Sequence, residues 1–194
     1  MMSIKKKEKF DDFQELEYIE STGTQYIDTG IIATENHKIE CTALFLSGGF
    51  SNYGAFDGKN RRHFGFYSGR NVLYMPNDNE PSISIPYVED FLTYCYAPDV
   101  CYISKDGAIL SSKLSASYNL YPNKNFYIFR RNSDGYSVGN GKSRCKTFRM
   151  VDIKAGRIVL DLIPCLDNNG TPCMYDKVNK KFYFNQGTGE FLYG

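Results

Sequence analysis

Acid–base hydrolysis of a glycosidic bond needs two carboxylates facing the scissile oxygen. Glu15 and Glu17 precede the first strand-like run, Glu35 and Glu40 bracket His37, and Glu89 adjoins Asp90. None of these groups lines three acids along one strand face. The only histidines are His37 and His63, which excludes a three-histidine metal site and leaves a Ser–His–Asp triad just these two to draw on. Neither has a Gly-x-Ser-x-Gly elbow or a catalytic cysteine signature beside it, so both read as packing or solvated histidines. Gly139-Asn140-Gly141-Lys142-Ser143 lacks the first spacing of a phosphate-binding loop and follows no strand–helix unit. Catalysis is not expected.

The six cysteines, Cys41, Cys95, Cys101, Cys145, Cys165 and Cys173, include no Cys-x-x-Cys, so zinc and redox use are not indicated. They are expected to be thiols, small buried strand residues in a chain made in a reducing compartment. No cofactor is expected. Calcium is the one ion that loop carboxylates could hold, at Asp57-Gly58-Lys59-Asn60, Asp78-Asn79-Glu80 or Asp167-Asn168-Asn169-Gly170, each of which is also an ordinary turn sequence.

Surface recognition remains. Sugar binding needs an aromatic face to stack on C–H groups and a few fixed polar groups to set orientation. Segments that combine the two supply the candidate ligand-binding residues Tyr53, Arg61, Arg62, His63, Tyr67, Tyr74, Arg131, Tyr136 and Asn140. Tyr and Arg also dominate protein interfaces, so these residues suit a glycan and a protein partner equally.

The elements that must position them are strands. The chain has 194 residues with 16 Tyr, 14 Phe, 17 Gly and no Trp, a composition of pleated strands and tight turns, without helical periodicity. Turn residues recur every eight to fifteen positions, the spacing of a sandwich or barrel. Roughly ten to thirteen short strands follow from this punctuation. The clearest are His37 to Leu46, the hairpin Arg62 to Tyr67 with Asn71 to Met75, and Val100 to Ser104 before the Asp106-Gly107 turn. Near the end come the hairpin Arg144 to Ile153 with Arg157 to Pro164, and the strand Lys181 to Phe184. Phe50 to Tyr53 and Pro76 to Pro86 read as loops. Residues 1–14 are charged and aperiodic and read as a flexible arm, with a single domain over 15–194.

Lys and Arg number 23 against 22 Asp and Glu, a net charge of +1. That supplies no field to draw in nucleic acid. No apolar run is long enough to cross a bilayer. The first residues lack the apolar segment of a signal peptide, so synthesis in the cytoplasm without export is expected.

Leu16-Glu17-Tyr18-Ile19-Glu20-Ser21-Thr22-Gly23-Thr24-Gln25-Tyr26-Ile27-Asp28-Thr29-Gly30 resembles the opening of LamG-like domains of the concanavalin A-like lectin/glucanase superfamily in phages and prophages of gut bacteria. The far end is similar to the same group, through Asp161-Leu162-Ile163-Pro164-Cys165, Met174-Tyr175-Asp176-Lys177-Val178-Asn179-Lys180-Lys181-Phe182-Tyr183 and Gly187-Thr188-Gly189. Where relatives have Asn-Gly, this chain has Asn179-Lys180. The resemblance implies an all-β antiparallel sandwich of jelly-roll type. It also implies a virion context such as a tail fibre, with adhesion to a surface glycan or host-cell receptor. The Glu-x-Asp-x-x-Glu strand of the superfamily's glucanases is absent. The alternative is a structural virion component, a head-decoration or fibre-base protein, that docks to other virion subunits through its charged arm. Homo-oligomerisation stays open.

Overall fold

The computed structural model describes residues 13–46, 51–57, 62–68, 72–74, 82–84, 89–114, 122–133 and 141–194. Among the described residues there are eighteen strands and no helix. In chain order they are β1 (Gln14–Glu15), β2 (Ile19–Ser21), β3 (Ile27–Ile32), β4 (His37–Phe45), β5 (Ser51–Asp57), β6 (Arg62–Ser68), β7 (Val72–Tyr74), β8 (Ser82–Ser84) and β9 (Leu92–Tyr96). They continue with β10 (Val100–Lys105), β11 (Ala108–Leu114), β12 (Asn125–Ile128), β13 (Arg131–Ser133), β14 (Ser143–Asp152), β15 (Arg157–Leu166), β16 (Pro172–Asp176), β17 (Lys181–Tyr183) and β18 (Leu192–Tyr193).

Two sheets result. The larger has eleven strands on the path β11-β10-β9-β4-β14-β15-β16-β17, with β1 on β15 and with β2 joining β14 to β18. The smaller has seven on the path β3-β12-β5-β6-β7-β8, with β13 on β5. Pairing among the described strands is antiparallel except between β13 and β5. The fold is thus an all-β sandwich, as the strand pattern predicts.

Alternation along β4 and β14 puts Ile39, Cys41, Ala43 and Phe45 beside Cys145, Phe148 and Met150 on the inner face, all buried. Aromatic pairs join the layers. Phe45 meets Tyr53 edge-on at 5.7 Å, Phe64 meets Tyr96 at 5.0 Å, and Phe126 meets Phe148 at 5.4 Å. Each such pair adds about 0.5–1.5 kcal/mol beyond the burial of its rings.

A second apolar cluster of Ile163, Cys165, Cys173 and Tyr175 packs with Phe13 and Phe182. The Phe13 ring lies 4.5 Å from Tyr175 and 6.1 Å from Phe182, and Gln14 and Glu15 pair with Leu166 and Cys165. The arm expected over 1–14 is therefore too long by two residues: Phe13 and Gln14 belong to the fold because an aromatic ring has somewhere to bury. The rest of that segment lies outside the described residues.

Loops at the two sequence ends interlock. Gln25 is 4% exposed. Its side-chain oxygen accepts from the Thr22 amide at 2.8 Å and its side-chain nitrogen donates to the Glu190 carbonyl at 3.0 Å. Asn185 Oδ1 accepts from the amides of Tyr26 and Gly187, and its nitrogen donates to the Gly189 carbonyl. Gly187 is obligatory: a Cβ there would sit 1.9 Å from the Thr24 carbonyl oxygen. This clasp draws β3, at one edge of the smaller sheet, toward the β17 edge of the larger.

Two strands run where loops were expected. β5 contains Gly54, whose register partner is Gly65, and a Cβ on Gly65 would approach the Tyr53 carbonyl oxygen to 2.1 Å. The glycines that make the segment look like a loop permit this backbone contact. β8, within the proline-rich stretch, pairs with β7.

Asp106 and Gly107 both have positive φ, as a type I′ hairpin requires. Between β16 and β17 the turn spans residues 177–180, and Lys180 sits at φ 55°. A lysine in the left-handed region is strained by about 1 kcal/mol relative to glycine. Lys180→Gly should therefore raise Tm by about 2–4 °C; an unchanged or lowered Tm in thermal unfolding would refute the strain. Gln25→Ala should destabilise the domain by about 2 kcal/mol, because it removes a buried side chain and leaves partly buried amide and carbonyl groups on two loops without their partner. A denaturant titration showing a loss under about 1 kcal/mol would mean that water takes over those bonds.

Candidate functional site

The candidate residues do not assemble into one site. Tyr53 is a correction: it is 0% exposed, packed on Phe45 and Phe129, with its hydroxyl 3.1 Å from Ser143 Oγ. Its alternation along β5 points it inward, a fact the Gly- and Ser-rich surroundings conceal. Arg131 is half-buried with its guanidinium 4.5 Å above the Phe56 ring. The neighbouring Arg130 lies over Tyr26 at 5.0 Å, and Tyr26 stacks on Tyr127 at 4.9 Å. Arg62, His63 and Tyr67 fall on β6 and Tyr74 on β7, where Tyr67 and Tyr74 are opposite in register; their side chains lie outside the described part. Arg61, Tyr136 and Asn140 lie outside the described residues.

Groups considered for catalysis or metals have structural occupations. Asp28 accepts from the Gly30 amide at 2.8 Å and the Asn125 side chain at 3.3 Å. Asp167 holds the amides of Asn169 and Thr171 at 2.9 and 2.8 Å, an Asx turn that needs no cation. The described residues contain no cluster of three metal-ligating side chains. The calcium candidates at Asp57-Gly58-Lys59-Asn60, past Asp57, and at Asp78-Asn79-Glu80 lie outside them. All six cysteines are buried and unbridged. Burial pushes the Cys95 thiol up to about 11, which keeps it protonated.

The outward-facing acids of the larger sheet are tied into a lattice. Tyr102 donates to Glu40 at 2.9 Å beside Lys38 at 2.8 Å. Burial alone would raise the Glu40 carboxyl, but these two hydrogen bonds hold it below its ordinary value. Asp161 takes Arg149 and Lys177 at 3.4 and 3.3 Å, and Glu20 takes Arg144 at 2.7 Å.

The β3–β17 edge is different. A solvent-open cleft of 460 Å³ lies there, lined by Thr29 to Ile31 of β3, His37 at the start of β4, Asp152, Arg157 and Ile158 of the β14–β15 hairpin, Val178 and Asn179 of the next turn, and Lys181 and Tyr183 of β17. A hollow of 360 Å³ adjoins it and shares Thr29, Gly30, Lys181 and Tyr183, adding Asp28 and Phe184 among others. Ile158, Val178 and Phe184 are about 40% exposed. Lys181 Nζ lies 4.4 Å above the Tyr183 ring.

Hydrogen-bonding capacity is distributed unevenly. Asp152 accepts from the Ala155 amide at 2.9 Å, Asn179 donates to the Val159 carbonyl at 3.1 Å, and Thr29 donates to the Phe126 carbonyl at 2.8 Å. Among the described residues, neither the Arg157 nor the Lys181 side chain forms an ion pair or hydrogen bond. His37 Nδ1 accepts from the Thr34 amide at 2.9 Å, so the neutral ring carries its proton on Nε2. Burial lowers the His37 pKa against the opposing charges of Asp152 and Glu35 and favours that neutral form.

Sequence reasoning missed Arg157, Lys181 and Phe184. Arg157 opens β15 while Lys181 and Phe184 flank β17, and only the sheet order brings the two strand ends together. No family model matches the chain, and no curated protein matches it.

Because Tyr53 is a core residue, Tyr53→Phe should lower stability by about 1 kcal/mol and Tyr53→Ala by about 3–5 kcal/mol. Retention of the parental Tm by Tyr53→Ala would return this residue to the surface candidates.

Proposed function

We propose that the protein is a non-enzymatic binding module that adheres to surface glycans, consistent with the LamG-like resemblance and the virion context it implies. The observation that carries this reading is the pair of adjoining hollows along the β3–β17 edge. Two adjoining hollows that share lining residues suit a ligand built of repeating units. Each of the two volumes falls in the range of small-molecule sites, about 300–1,000 Å³. Exposed Phe184, Ile158 and Val178 offer apolar surface to the C–H faces of sugar rings, while Arg157 and Lys181 offer donors to oxygen. The acids at the edge, Asp28 and Asp152, hold main-chain amides, which suits binding better than acid–base catalysis.

A second reading rests on a different edge. β11 ends the larger sheet, and its Ile109, Leu110 and Leu114 are 62%, 48% and 81% exposed. An edge strand with exposed apolar side chains is a template for pairing with another chain, which suits a structural virion component docked to its neighbours.

Binding of the purified protein to an array of bacterial-surface and mucosal glycans separates the two. Adhesion predicts saturable binding to one glycan class, without release of reducing sugar, and loss of that binding in Phe184→Ala at unchanged Tm. Failure to bind any glycan or whole cells, with co-purification of a virion subunit that Leu114→Lys abolishes, would replace this reading with docking.

A further inference from the structure

We infer that the β3–β17 cleft takes an anionic saccharide, one bearing a carboxylate or a sulfate ester, held by Arg157 and Lys181. The inference rests on the glycan-binding reading and specifies its ligand.

The argument is one of unmatched valence. On the described larger sheet several cations meet acids: Arg144 with Glu20, Lys146 with Glu17, Lys38 with Glu40, and Arg149 and Lys177 with Asp161. In the cleft two cations stand side by side with acids and form no such pair. Asp152 stands opposite Arg157 in register, yet its carboxylate bonds the Ala155 amide and forms no ion pair with Arg157. Asp28, in the adjoining hollow, is held by the Gly30 amide and the Asn125 side chain. These carboxylates are turned to main-chain and side-chain amides, and neither is paired with Arg157 or Lys181.

Two charged donors therefore stand without an acceptor, and a ligand that completes them is an acceptor. Arg157 supplies a planar fork that matches carboxylate or sulfate oxygens. Lys181 supplies a point charge fixed above the Tyr183 ring. The exposed Ile158 and Val178 between them supply the apolar contact that a sugar ring needs and a free inorganic anion does not.

The test measures binding to matched pairs by calorimetry: sialyllactose against lactose, oligogalacturonate against its methyl ester, and sulfated lactose against lactose. Arg157→Gln and Lys181→Gln are measured beside the parent protein after their Tm values are shown to be unchanged. The expected result is at least tenfold tighter binding of the anionic member of a pair that binds. Each substitution should weaken that binding about tenfold and leave the neutral member unaffected. The first two pairs report a carboxylate and the third a sulfate. Equal binding of both members, or indifference to both substitutions, would overturn the anionic assignment while leaving glycan adhesion in place. Absence of binding to every array glycan would remove adhesion itself, and the assignment with it.

Discussion

The geometry of the β3–β17 edge depends on loop amides that no sheet ladder can reach. Main-chain groups of the Ser21–Gln25 and Asn185–Glu190 loops are partly buried around the Gln25 side chain, and leaving a buried one orphaned would forfeit about 1–3 kcal/mol. Gln25 and Asn185 resolve this by acting as surrogate backbone, each accepting and donating at once. Neither loop can settle its polar groups without the other. The edge of the smaller sheet is thereby fixed against the edge of the larger, and the cleft is the space left between them.

This accounts for why the two most distinctive stretches of sequence stand at opposite ends of the chain. Ser21-Thr22-Gly23-Thr24-Gln25 and Asn185-Gln186-Gly187-Thr188-Gly189 read separately as unremarkable turns. Joined, they form one polar joint in which Gly187 has no room for a side chain and the Gln186 and Thr188 amides donate to Tyr26 and Thr24 carbonyls. A loop near the start of the chain and one near its end hold residue types that make sense only in combination.

Much of the sandwich was legible in the sequence. The alternation in β4, β14 and β15 and the Asp106-Gly107 turn are period-2 and turn signals strong enough to survive without context. β5 was hidden because Gly54 and Gly65 remove the side chains that would show alternation. β8 was hidden by prolines. The site was harder to see. Tyrosine is at home in core, sheet face and binding surface, so Tyr53 could not be placed by type alone. Arg157, Lys181 and Phe184 carry no local motif, since their meaning lies in which cations find partners, a property of topology rather than of spacing.

The same joint bears on how the chain acquires its fold. Gln14 pairs with Leu166, Ile19 with Tyr193, and the Gln25 side chain reaches Glu190, contacts whose sequence separation places a large loop-closure entropy ahead of their reward. During synthesis β2 and β3 emerge long before the strands and loop that complete them. Their apolar residues, Ile19 and Ile27 among them, stay without a finished core until β18 and the Asn185–Glu190 loop are made. Closure is consequently a late event, in which the joint and the cleft form together.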